Sequence, residues 1–159
     1  MSLTTKIGNI LGFDTNIKEK GLYAIAYVSK IVVDQDLDYQ QIKMFTENIA
    51  SDCIDKNKQN DITGLLYYGN YTFFQRLEGR KKDVEETLKR IKTDSRHKEV
   101  TVIQSKEIKK RMFAKWSMKF ISNRYYIDNL FQQIVVYGFE NGELNKNYAT
   151  KLNTLLKIL

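Results

Sequence analysis

The chain has 159 residues, 42% hydrophobic and 28% charged, a length and balance that bury about two-thirds of the unfolded surface in one domain and exclude wholesale disorder, collagen and coiled coil. One cysteine, Cys53, and one histidine, His97, exclude an intramolecular disulfide and a zinc site of the usual cysteine and histidine type. The net charge of +7 is concentrated: residues 80–119 hold 14 Lys or Arg against 6 Asp or Glu, and the remainder 12 against 13, so one quarter of the chain is either a solvated basic face or a site for phosphates or an acidic partner.

No G-x-S-x-G or G-x-x-x-x-G-K-[ST] motif is present to support a hydrolase or a phosphate-binding loop. Proline is absent, where average usage gives about eight. No apolar run reaches about 18 residues, and Gly8, Gly12 and Asp14 interrupt the first twenty, which predicts a cytoplasmic protein with no membrane contact.

Leu22 to Val28 (LYAIAYV) predicts a strand buried on both faces, with Tyr23, Ile25 and Tyr27 on one of them. Ile42, Phe45, Ile49 and Cys53 then recur at helical spacing, and Asp38 with Gln41 forms a capping-box pattern at the start of that helix. Between Asp61 and Glu78 two extended runs, ITGLLYY and YTFFQRLE, flank Gly69-Asn70, a pair suited to a two-residue hairpin turn. Val84, Leu88 and Ile91 mark a second amphipathic helix, Val100 to Gln104 a strand, and Trp116 to Ile121 a last strand with Trp116, Met118 and Phe120 on one face. The order β-α-β-β-α-β-β predicts an α+β fold, a ferredoxin-like sandwich with both helices on one face of the sheet.

In that sandwich the first and third strands are central neighbours. Gln75 shares its face with Tyr71, Phe73 and Leu77, so it points toward the helices, where a buried amide must be paired. Tyr27 is the expected partner, and a plain core hydrogen bond between the two is the simplest reading. The other face of the first strand (Leu22, Ala24, Ala26, Val28), with Leu65 and Phe74, needs a cover. Two tail helices provide one: Tyr126, Leu130, Ile134 and Tyr137 line the first, Gly138 to Gly142 breaks it, and Leu144, Tyr148, Leu152, Leu155, Leu156 and Leu159 line the second. Self-association, giving a homo-oligomer, is a competing role for that surface.

Taken in order, LYAIAYVS, Asn57 five residues before ITGLL, FFQRLEG, RIKTDSRH and WSMKF closely resemble the BLUF family of flavin-binding blue-light sensors over about residues 21–121. The resemblance implies bound FAD, with Tyr27 as the photoactive tyrosine, Gln75 as the amide between it and the flavin, and Asn57 as the amide on the pyrimidine edge, where its donor and acceptor match adjacent groups. It further implies Ile49 and Ile91 as apolar walls on either side of the ring. The resemblance places Lys56 beside the ring, where several members of the family carry His or Asn, and Arg90, Asp94 and His97 along the ribityl chain or phosphates. Trp116 and Met118 match a pair that links the glutamine to the last strand; ordinary core filling explains them equally well.

By the same resemblance, blue light draws an electron and a proton from Tyr27, and Gln75 rearranges as they return, without a covalent adduct. Cys53 is then simple packing. Three segments follow: an N-terminal extension (1–20), a flavin-binding domain (21–121) and a C-terminal helical cap (122–159). The chain is expected to be a stand-alone sensor, not an enzyme, that signals to a separate partner protein. The competing function is a basic ferredoxin-like RNA-binding module, but YYGNYTFFQ lacks the basic-Gly-aromatic order of an RNA-stacking strand, which argues against nucleic acid.

Overall fold

Strand β1 (Leu22–Ile31) is apolar on both faces and buried along most of its length, so it can only lie inside a sheet. In the computed structural model, which describes residues 21–122 and 125–159, it pairs antiparallel with β3 (Thr72–Arg80) on one side and with β4 (His97–Glu107) on the other. The expected N-terminal extension, residues 1–20, lies outside the described residues. β2 (Thr63–Gly69) pairs antiparallel with β3, and the short β5 (Lys119–Ser122) adds in parallel to β2, giving the order β4-β1-β3-β2-β5. This is the ferredoxin-like α+β sandwich, with β1 and β3 at its centre.

Two helices cover one face. α1 (Tyr39–Gln59) starts at the anticipated capping box: Gln41 N–H donates to Asp38 at 2.8 Å, and Asp38 N–H donates to the Gln41 side chain at 2.9 Å. α2 (Lys81–Thr93) follows β3 directly. Ile42, Ile49 and Ala50 of α1 and Val84 and Leu88 of α2 join Ile25, Tyr27, Leu66, Phe73 and Leu77 of the sheet in one core. α3 (Tyr125–Asn141) and α4 (Lys146–Ile158) cover the opposite face, where Phe131, Ile134, Leu152, Leu155 and Leu156 pack on Ala26, Val28, Leu65, Tyr67, Phe74 and Ile103. Among the described residues, no helix is long and apolar enough to cross a membrane.

Several details differ from the sequence expectations. The hairpin turn is Asn70-Tyr71, both at positive φ (46° and 59°), because Gly69 pairs with Thr72 and belongs to the ladder. Tyr71 therefore leaves the Gln75 face and stands in the turn. The last strand begins at Lys119, not at Trp116: Gly64 N–H donates to the Trp116 carbonyl at 3.1 Å while the chain is still turning. Met118 and Phe120 reach the α1/α2 core, but Trp116 is 50% exposed. In α3 the buried face is set by Phe131, Ile134 and Val135, and Leu130 is turned out, because Phe131 stacks on Tyr67 at 4.3 Å between centroids and meets Phe74 at 5.1 Å. The side chain of Tyr126 lies outside the described residues. Gly138 does not break α3; a Cβ there would sit 2.6 Å from Ile103 Cγ2, so glycine is what lets the helix touch the sheet, and the helix ends only before Gly142, at φ +75°.

On the α3/α4 side of β3 lies a buried ion pair with no warning in the sequence. Arg76 Nε donates to Glu78 at 2.8 Å, Arg76 Nη1 donates to Gln104 Oε1 at 3.2 Å, and Glu78 also accepts the Phe113 N–H at 3.0 Å. Glu78 thus ties the 108–118 segment to the central sheet. Removing one partner strands a buried charge, whereas replacing both with apolar side chains does not. Glu78→Ala should cost about 3–5 kcal/mol in urea unfolding. The double replacement Arg76→Met/Glu78→Leu should cost much less.

Candidate functional site

The α1/α2 face contains a cleft because the two helices lie side by side over β1 and β3 with polar side chains between them. Two adjoining cavities of about 60 and 30 Å³ share Cys53, Gln75, Ile91, Asp94 and Arg96 as walls. Tyr27, Ile49, Leu66, Phe73 and His97 complete the deeper one, and Asp52, Lys56, Asn57, Thr87 and Arg90 the outer one. The periodicity that buries Ile49 on α1 continues to Cys53, Lys56 and Asn57. On the other wall, Thr87, Arg90 and Ile91 follow from the apolar stripe of α2.

At the floor, Tyr27 and Gln75 are direct partners in the β1–β3 register, and the Tyr27 hydroxyl donates to Gln75 Oε1. Burial, reinforced by the nearby Cys53 and Asp94, raises the Tyr27 pKa well above that of an ordinary phenol, so it is a neutral donor. The other end of the amide is weakly satisfied: Gln75 Nε2 donates to the Met118 thioether sulfur at 3.8 Å. Asn57, 2% exposed, donates from Nδ2 to the Ser117 carbonyl at 2.9 Å, and among the described residues its amide oxygen accepts no hydrogen bond. Two amides with unused capacity therefore face one cleft. Ile49 and Ile91 wall it, and the exposed Lys56 and Arg90 stand at its mouth, where Arg90 also donates to Thr87 at 3.0 Å.

Arg96, which the sequence reading passed over, is the main charge in the cleft. It donates to Asp94 at 2.7 Å and to Asp52 on α1 at 2.6 Å, closing the gap between α1 and the α2–β4 turn. Those bonds push the Asp94 carboxyl down to about 2 and raise the guanidinium pKa further. The pairing of Asp94 with Arg96 two residues on is a visible local signal; Asp52, 44 residues away, is not. His97 lies against the deeper cavity with both ring nitrogens committed: Nε2 donates to the Ile91 carbonyl at 2.9 Å, and Nδ1 accepts from Ser29 at 2.9 Å. Burial lowers its pKa, which agrees with that neutral tautomer. Burial pushes the Cys53 thiol up to about 11, which disfavours its reactive thiolate form. Trp116 is not part of the cleft lining; of the expected pair, only Met118 touches Gln75.

This donor set fits a flavin. Two apolar walls suit a flat ring, paired amides suit its edge of carbonyls and N–H, and cations at the mouth suit a phosphate. The cavities are narrower than the roughly 300 Å³ of ordinary ligand pockets, so the ring needs the side chains that bridge the walls to move. An RNA-stacking role fits poorly, because helices cover both sheet faces and Phe73 and Phe74 of β3 are buried.

Because the folded Asp94 pKa lies below the ordinary value of about 3.9, its pairing contributes stability that is complete above roughly pH 4 and lost as pH falls toward 2. In Arg96→Ala, the Asp94 carboxyl should titrate near the ordinary value, as a carbon-detected NMR titration of the side chain would show.

Comparison with known proteins identifies a family. The family model described as sensors of blue light using FAD, BLUF, matches residues 22–119. The alpha subunit of a photoactivated adenylate cyclase from Euglena gracilis is 33% identical over 75 residues, 47% of this chain but 7% of that protein, so the chain spans only a small part of that relative. Among solved structures, BlsA in its photo-activated state matches with 28% identity and a TM-score of 0.69 over 85% of this chain and 94% of that one. BlrB, a BLUF protein in its dark state, is 22% identical with a TM-score of 0.65 over 87% and 96% of the two chains, a likeness of fold.

Proposed function

Because this chain belongs to the BLUF family, the sensors of blue light using FAD, we propose that Tyr27 and Gln75 are its photochemical switch and that its output passes to a separate partner protein. The observation that carries this reading is the buried hydrogen bond from Tyr27 to Gln75 Oε1 at the floor of a flavin-compatible cleft. Bound flavin supplies the blue absorption and accepts the electron. The remaining work falls to the chain: Asn57 orients the pyrimidine edge with Lys56 beside it, Ile49 and Ile91 hold the ring plane, and Arg90 meets the phosphates. Asp94, held by Arg96, and His97, held by Ser29 and Ile91, fix the wall beside the ribityl chain. FAD is the proposed cofactor in the cell, following the family description, and mass spectrometry of the flavin released from the purified protein distinguishes it from FMN.

Oxidation of Tyr27 acidifies its hydroxyl, so its proton moves along the existing bond to Gln75 Oε1. When electron and proton return, the amide is free to settle turned over, with its donor and acceptor exchanged. A thioether accepts a hydrogen bond but cannot donate one, so an amide oxygen turned toward Met118 loses the link that the amide nitrogen makes. The switch thereby releases Met118 and the segment leading into β5. Such a device biases an existing equilibrium, and the partner reads it through different affinities for the two states. This is sensing without catalysis.

Tyr27→Phe should bind flavin normally and lose the reversible red shift of the flavin absorption under blue light; an unchanged photocycle would refute the assignment. Met118→Leu keeps the volume and removes the sulfur acceptor. It should retain the red shift while abolishing the light-induced change in amide hydrogen exchange across residues 111–122.

A further inference from the structure

The proposed flavin site has to widen before a ring can enter it. Asn57 lines only the outer of the two adjoining cavities and Ile49 only the deeper, so a ring that meets both must run through the boundary the cavities share, of which Arg96 is a wall. At about 60 and 30 Å³ they are too narrow for it. One side of this space is built by Asp52, Cys53, Lys56 and Asn57 of α1, and the other by Thr87, Arg90 and Ile91 of α2 with Asp94 and Arg96 of the turn that follows. Widening therefore means moving α1 away from α2 and its turn.

One bond resists that movement. Arg96 Nη1 donates to Asp52 at 2.6 Å, and among the described residues this is the one ion pair that joins α1 to another element. The rest of Arg96 is fastened to its own turn: Nε and Nη2 donate to Asp94 at 3.0 and 2.7 Å, its backbone N–H donates to Asp94 at 3.0 Å, and its carbonyl accepts the Val32 N–H at 2.9 Å. The guanidinium cannot follow α1 outward, so the Asp52 contact has to break. Breaking it leaves no buried charge alone, because Asp52, with its side chain 52% exposed, passes to water while Asp94 still neutralises Arg96. A contact so readily broken slows entry without forbidding it.

Resting on the flavin reading of this cleft, we propose that the Asp52–Arg96 bond is a strap that holds α1 to the α2–β4 turn and gives way only when the ring enters, so that Asp52 governs how fast flavin is taken up. A ring between the walls keeps them apart, and strap and flavin exclude each other. Asp52 is thus a competitor of the cofactor, acting on uptake and not on release.

Stopped-flow quenching of FAD fluorescence by the full chain, stripped of its flavin, measures uptake, and dilution of the loaded chain measures release. Asp52→Ala should take up FAD about threefold faster, the effect of losing one exposed ion pair, with the release rate unchanged. Asp55→Ala removes the same charge from an exposed position three residues along α1 and should leave both rates as they are. Equal uptake by the wild type and Asp52→Ala overturns the strap. Equal acceleration by Asp52→Ala and Asp55→Ala overturns it too, assigning the effect to long-range attraction of the FAD phosphates. Release accelerated as much as uptake would show the bond closed over the bound ring, which overturns the competition. A chain that is colourless as purified and takes up no FAD overturns the flavin reading itself, and the strap with it.

Discussion

Everything in this molecule depends on the register between β1 and β3. Both strands are buried on both faces, so each alternate residue belongs to a different core, and a slip of one position would exchange the two sets completely. That constraint brings Tyr27 and Gln75 face to face under the α1/α2 cleft. It equally sends Phe74, Arg76 and Glu78 to the other side, where Arg76 and Glu78 can be charged only because they satisfy each other and, through Gln104 and Phe113, their neighbours.

The two sides of β3 solve the same problem, polar groups out of water, in opposite ways. Arg76 and Glu78 are held at both ends by short bonds, so their geometry is fixed. Gln75 is held firmly at its oxygen and weakly at its nitrogen, by a sulfur at 3.8 Å. A satisfied network has one low-energy arrangement; an amide with one poor partner has two of similar energy. The rigidity of the first stops the strand from following the second. In the proposed switch, motion at Gln75 is therefore directed away from the sheet, toward Met118. Arg96 plays a comparable part in the α1/α2 cleft, since its bonds to Asp94 and Asp52 join two elements that have no backbone connection near each other.

Much of this was legible in the sequence because the relevant signals are local. The two-sided apolar run of β1, the i, i+4 stripe and the Asp38–Gln41 box of α1 each declare themselves within a few residues. The pairing of Tyr27 with Gln75 followed from strand order and face. What misled was equally physical. Gly69-Asn70 is the better turn by backbone preference, yet the ladder uses Gly69 and leaves Tyr71 strained. WSMKFI alternates like a strand, but the carbonyl of Trp116 is taken by Gly64 before strand geometry begins. A glutamate beside glycine at a strand end looks like a solvent position, and nothing local reveals that Glu78 receives an N–H from 35 residues away. The Arg96–Asp52 bridge was invisible for the same reason.

The sheet also acts as a partition. The buried residues of its two cores form separate clusters, one containing Tyr27 beneath α1 and α2 and the other closed by α3 and α4. Substitutions on the α3/α4 side can accumulate, or that pair of helices be exchanged, without repacking the core on the other side. Heredity can then edit the two halves at different rates, and the register of the strands between them is the part that both must keep in common.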